Sequence, residues 1–212
     1  MSDAPVAEQF VELDQQHGAD RLGMWIFLST EVMFFGGILL AYTVYRCLNP
    51  GVFEQASHHL DVLFGAIDTT VLLCSSLTMA LSLRALQLGQ KWVSCALLTA
   101  TALLGTIFLC LHGFEYYHEW QHHLFPGRTF QYEGPHSSRA EMFFVIYYCL
   151  TGLHSLHVLI GVILLLILAL LIATGRLDRG RFMALEITGL YWHFVDIVWV
   201  FLFPLLYLPG AR

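Results

Sequence analysis

The residues able to do chemistry here are ionisable side chains set in apolar surroundings. Glu31 stands in the run LGMWIFLSTEVMFF with no other charge near it. A carboxyl group in hydrocarbon costs at least about 2.5 kcal/mol when charged, so it must be protonated or hydrogen-bonded to a neighbouring helix. Two roles fit Glu31: an interhelical clasp, or a proton-handling or regulatory group. His154 and His157 are three residues apart, which on a helix puts them on one face about 60° from each other. Glu186 and His193 are seven apart and nearly eclipse, Asp196 follows about one turn later, and Trp192 and Trp199 flank the row. Such polar stripes cannot face lipid and must turn inward or toward another subunit. Each histidine taken singly reads as a hydrogen-bonded packing residue or as a ligand.

The string His118, Glu119, Trp120, Gln121, His122 is an HExxH pattern. On a helix it would place two zinc ligands one turn apart with a general base between them, the arrangement of a membrane zinc metalloprotease. The string falls at the end of an apolar run, where His and Trp commonly mark the lipid boundary. No convincing third-ligand motif follows, although Glu133, His136 and Glu141 are present. A haem-carrying cytochrome b anchor would need facing histidines at two depths, and the first two apolar runs contain none. A transport pathway would call for inverted repeats or broken helices, and neither is evident.

The elements that must position these residues follow from composition. Of 212 residues 57% are hydrophobic and 12% charged, against roughly 25% charged in an ordinary soluble domain. That balance excludes a disordered chain and argues against a soluble globule. A net charge of -6 offers nothing to a polyanion, so nucleic acid is not an expected partner. Crossing hydrocarbon takes about 20 mostly apolar residues in a helix that satisfies its own backbone. Five segments qualify: Leu22 to Tyr45, Leu63 to Leu88, Trp92 to Tyr117, Met142 to Ala173 and Phe182 to Leu208. The expected fold is all-α, a polytopic transmembrane bundle of five spanning helices over residues 22–208. An N-terminal arm over 1–21 and a short tail over 209–212 flank it. The fourth span is longer than a bilayer requires and should stand above it or tilt.

The acidic arm lacks the basic start and cleavage site of a signal peptide. Arg21, Arg84, Lys91, Arg176, Arg179 and Arg181 fall on one side of the bundle, against Arg46, Arg128, Arg139 and Arg212 on the other. The positive-inside rule then puts the N-terminus in the cytoplasm and the C-terminus outside. The stretch from His118 to Glu141, rich in His and aromatics, should form an ordered external cap. Cys47, Cys74, Cys95, Cys110 and Cys149 have no CxxC spacing and read as buried free thiols.

Four strings resemble subunit III of haem-copper cytochrome c oxidases: LGMWIFLSTEVMFF, HGFEYYHEWQHH, FFVIYYCLTGLHSLHVLIG and LEITGLYWHFVDIVWVFLF. They occur in order across most of residues 20–208, and YWHFVDIVW is the most specific of them. The resemblance implies a subunit without its own haem or copper. It would dock on subunit I of a proton-translocating, oxygen-reducing complex of aerobic electron transport, beside subunit II, in a bacterial inner membrane. It also implies bound phospholipid in a cleft, support of proton uptake and protection of the catalytic subunit during turnover. The residues agree with a chain that carries no redox centre. There is no CxxxC motif followed by His and Met for a two-copper centre, and no set of six intramembrane histidines. The long form of the family has seven helices, and this chain begins at what would be the third, matching the five-helix form. Related alternatives are the third subunit of a quinol oxidase and an accessory protein of nitric oxide reduction.

Three expectations follow for the side chains. Glu31 should hydrogen-bond His154 or His157. Glu186, His193 and Asp196 should clasp the fifth span to its neighbours, with Trp192 and Trp199 packing alongside. Arg176, Arg179 and Arg181 should either meet lipid headgroups at the cytoplasmic surface or act only as topology signals. No metal-ligating set is expected in this chain.

Overall fold

The computed structural model describes residues 13–58, 60–127, 137–177 and 182–210. Six α-helices follow one another: α1 (Leu13–Leu48), α2 (Pro50–Ser57), α3 (Val62–Gln87), α4 (Lys91–Gln121), α5 (Ser137–Ala173) and α6 (Met183–Leu206), closed by a 3-10 turn at Leu208–Gly210. All but α2 are long and apolar enough to cross a membrane, and no strand occurs among the described residues. The protein is an all-α, multi-pass membrane bundle with five spanning helices.

Local chemistry sets the helix limits. The Asp61 carboxylate accepts from the Leu63 N–H at 2.8 Å and caps the start of α3. Gly89 and Gly175 take positive φ angles just past α3 and α5. At each of them the chain closes with a pair of bonds back into the last turn: Gly89 N to Leu86 O with Gln90 N to Ala85 O, and Gly175 N to Ile172 O with Arg176 N to Leu171 O. Only glycine takes that left-handed angle without strain. α5 has 37 residues, about 55 Å of helix against a hydrocarbon core of about 30 Å, so it extends well beyond the bilayer or tilts.

The helices depart from the expected spans at several points, α5 for instance starting at Ser137 rather than Met142. α1 begins at Leu13, so residues 13–21, placed in an arm by hydropathy, continue the helix. α2 was not expected; Pro50 sits in its first turn, where a missing N–H costs nothing. α4 runs through the HExxH string to Gln121, which shortens the cap on that side. Of the rest of the expected cap, residues 122–127 follow as turns and bends, 137–141 belong to α5, and 128–136 lie outside the described residues.

The spans pack mainly in sequence, α3 on α4 and α4 on α5, with α6 lying across α3 and α5. α1 rests on α5 and α6 and buries the smallest share of its surface. At the centre the Trp192 indole is wedged between α4 and α5. A Cβ at Gly105 would stand 2.6 Å from its ring, and one at Gly161 would stand 2.7 Å from it. The five cysteines are free, but they are not buried as expected: Cys47, Cys74, Cys110 and Cys149 face outward and Cys95 is part-covered. Where the surrounding solvent is hydrocarbon, an apolar thiol has no reason to seek the interior.

Candidate functional site

The polar side chains that the sequence scatters along the spans resolve into contacts between helices. Glu31 lies halfway along α1, and its Oε2 is 3.2 Å from Nε2 of His157 on α5. Nδ1 of the same ring is 2.7 Å from the Leu153 carbonyl. A carbonyl only accepts, so Nδ1 must carry a proton and donate. The proton between Nε2 and the carboxyl group then belongs either to a neutral Glu31 or to an imidazolium facing a carboxylate. Both states have zero net charge, which suits a part-buried site in a membrane helix. The Tyr191 hydroxyl donates to the His157 carbonyl at 3.0 Å and ties α6 to the same turn.

His154, one turn away on α5, does not share in this pair. It is buried, stacked on Trp199 with ring centroids 5.1 Å apart, and set edge-on to Phe108 at 5.5 Å.

The stripe on α6 disperses among three fates. Glu186 receives two bonds from Arg21 of α1, from Nε at 2.8 Å and from a terminal nitrogen at 3.2 Å. His193 Nδ1 meets the Ser76 hydroxyl of α3 at 2.7 Å. Asp196 is buried, and neither carboxyl oxygen has a hydrogen-bond partner among the described residues. Trp192 and Trp199 do more than pack: their indole N–H groups donate to Ser75 at 3.0 Å and to Thr69 at 3.2 Å. Thr69, Ser75 and Ser76 are short polar residues on α3, too common in membrane helices to stand out in the sequence. Together they form the counter-row to α6.

The remaining expected sites fare differently. Arg176 stands in the turn after α5, exposed, while Arg179 and Arg181 lie outside the described residues. In the HExxH string His118 and His122 are exposed and face one another with ring centroids 4.6 Å apart, but Glu119 turns into the bundle. No third His, Cys, Asp or Glu among the described residues comes close enough to join the two imidazoles in a ligand set, so the string forms no three-ligand protease centre there.

A further group was not singled out by pattern. Asp68 on α3 and His112 and Glu115 on α4 meet in the interior near the end opposite the N-terminus. The available signal was two acids and a histidine inside otherwise apolar spans, with His112 and Glu115 three residues apart on one helix face.

A groove of about 490 Å³ separates α1 from α6, lined by Trp25, Leu28, Val32, Met33, Phe194 and Ile197.

Comparison with known proteins places this architecture. The family described as cytochrome c oxidase subunit III matches over residues 13–211. Cytochrome c oxidase subunit 3 of Corynebacterium diphtheriae is 32% identical over 188 residues, covering 88% of this chain and 86% of that protein. Heme-copper oxidase subunit I+III of Aeropyrum pernix is 34% identical over 198 residues, covering 89% of this chain and 22% of that longer polypeptide. Cytochrome bo(3) ubiquinol oxidase subunit 3 of Pseudomonas aeruginosa is 30% identical over 203 residues, covering 93% of this chain and 91% of that protein.

Proposed function

The chain belongs to the cytochrome c oxidase subunit III family, a haem-copper oxidase subunit, and from that premise we propose that it docks directly on subunit I and braces it in the membrane. The observation that carries this reading is the Aeropyrum pernix relative, in which a matching domain is part of one polypeptide named subunit I+III. Covalent fusion holds the two parts in one membrane at high effective concentration and so favours their direct contact. The oxygen-reducing enzyme is the complex. In our reading the haems and copper belong to the partner subunits, and this chain contributes rigidity and a controlled polar interior.

The geometry suggests how it would do so. The neutral Glu31–His157 pair fixes α1 against α5 at mid-helix without placing net charge in hydrocarbon. The groove between α1 and α6 has walls fit for phospholipid chains, since Trp25, Leu28, Val32 and Met33 present apolar surface along about two turns. Arg176, with Arg179 and Arg181, would meet anionic headgroups on the cytoplasmic face, at about 1 kcal/mol per cation. The same basic bias supports a cytoplasmic N-terminus and an outward C-terminus in a bacterial inner membrane. Support of proton uptake by subunit I belongs to the same proposal.

The electron donor is a property of the partners. The Pseudomonas aeruginosa relative favours a second reading, the third subunit of a quinol oxidase. One experiment addresses both: the affinity-tagged chain is isolated in mild detergent and its companions are identified together with their haem and copper. Copurification of subunits I and II with haem and copper supports docking. A complex that oxidises cytochrome c supports the first reading, and one that oxidises only quinol supports the second. Recovery of the chain without subunit I under conditions that preserve oxidase activity in the membrane would defeat the docking proposal.

A further inference from the structure

At the end of the bundle opposite the N-terminus, α3 and α4 bring Asp68, His112 and Glu115 into one buried cluster. They are 1%, 2% and 8% exposed, and one donor atom of each lies within 4.8 Å of the other two. Contacts within the chain leave them unanswered. Both oxygens of Asp68, both ring nitrogens of His112 and Oε1 of Glu115 have no hydrogen-bond partner among the described residues. Nδ1 of His112 does come within 3.2 Å of Glu115 Oε2, but without the geometry of a hydrogen bond. That oxygen already accepts the Tyr207 hydroxyl at 2.8 Å.

Charge and donor type together identify what would complete the set. Two carboxylates and a neutral imidazole carry two negative charges, which a bundle interior tolerates poorly when unpaired. A divalent cation brings the sum to zero and accepts a lone pair from each side chain. One nitrogen and two oxygen donors suit a borderline first-row ion such as zinc. Calcium would ask for six or more oxygens.

We infer that Asp68, His112 and Glu115 form a binding site for one divalent cation of the zinc class, with the Tyr207 hydroxyl orienting the Glu115 carboxylate from behind. Ligands about 2.0–2.2 Å from such an ion stand about 3.4 Å apart, so side-chain shifts of about 1 Å close the site. A cavity of about 630 Å³, lined by Asp61, Phe64, Phe114 and Glu115 among others, reaches the cluster. It supplies an entry path and room for water at the fourth position. The ion is redox-inactive, and its effect is to pin the ends of α3 and α4 together. This inference stands apart from docking on subunit I.

The test uses the tagged chain with whatever subunits accompany it. The preparation is stripped with chelator, equilibrated with zinc, and analysed for bound zinc per chain. The expected result is one equivalent that is lost in Asp68→Asn and in His112→Gln, near-isosteric changes that keep the packing. It is retained when His118 and His122, on the exposed string, are both changed to Gln. Zinc-edge X-ray absorption of the unmodified protein should show one imidazole with oxygen donors and no sulfur, which decides the matter even where a variant fails to assemble. Four results overturn the inference: no zinc bound by the unmodified protein; zinc unaffected by Asp68→Asn and His112→Gln; zinc lost with His118 and His122; or sulfur in the first shell.

Discussion

His157 shows how much one ring can specify in a membrane helix. Its Nδ1 is committed to the Leu153 carbonyl, so only Nε2 remains for Glu31, and the pair needs one proton between them. An amide at position 31 can donate to Nε2 as well as a carboxyl can. Glu31→Gln should therefore keep full subunit content in the isolated complex, whereas Glu31→Leu leaves Nε2 unpaired. Interhelical hydrogen bonds of this kind contribute about 0.6 kcal/mol on average and about 1.7 at most. The Leu variant should accordingly lower the thermal stability of the complex by an amount in that range, and a lower stability in the Gln variant as well would contradict the shared-proton pair. His193 meets Ser76 across the α3–α6 contact. His193→Leu should reduce the amount of assembled complex while leaving turnover per assembled complex unchanged, as measured by oxygen consumption normalised to haem.

Among the elements, α6 is held by shape more than by its polar row. Trp192 makes one hydrogen bond, to a serine that also donates to the Leu72 carbonyl at 2.7 Å. Removing that bond in Trp192→Phe should cost about 0.6 kcal/mol, and no more than about 1.7, beyond the lost ring volume. The clash built by Gly161→Ala is of another kind. Its Cβ would stand 2.7 Å from the Trp192 ring, whose neighbouring edge atoms Gly105 already approaches closely. Overpacking of this sort costs about 1–3 kcal/mol. Unfolding in a denaturing-detergent titration should show Gly161→Ala destabilised by an amount in that range, and an unchanged midpoint would show that the indole has room to move.

As a whole, the molecule is a tight four-helix unit, α3 to α6, with α1 attached through few apolar contacts and a short series of polar ties. Those ties include Arg21 to Glu186, Glu31 to His157 and the Tyr42 hydroxyl to the Leu205 carbonyl. Local opening follows contact density. In the isolated chain, amide hydrogen exchange should be faster along α1 than along α4. Arg21→Gln combined with Glu31→Leu should widen the difference. On the proposed docking, a neighbouring subunit or ordered lipid would cover the outward apolar side chains of α1, Val32 and Met33 among them, so α1 should become protected in the complex. Equal protection of α1 in both preparations would argue against a partner on that face.

Sequence alone determined the five spans, since hydrocarbon forces each apolar run of sufficient length into a helix irrespective of its neighbours. It also determined the family, through strings such as YWHFVDIVW whose order along the chain is a one-dimensional property. Helix ends were less legible: α1 reaches back to Leu13 because polar residues outside the membrane extend a helix as readily as apolar ones within it. Which polar groups meet was decided by tertiary structure. Glu31 could reach either of two histidines on one face of α5, and the rotation of α5 against α1 selected His157 while turning His154 onto Trp199. Asp68 and Glu115 are 47 residues apart in the chain and adjacent in space. Their meeting depends on the register of α3 against α4, a relation between two helices that neither helix's own periodicity contains.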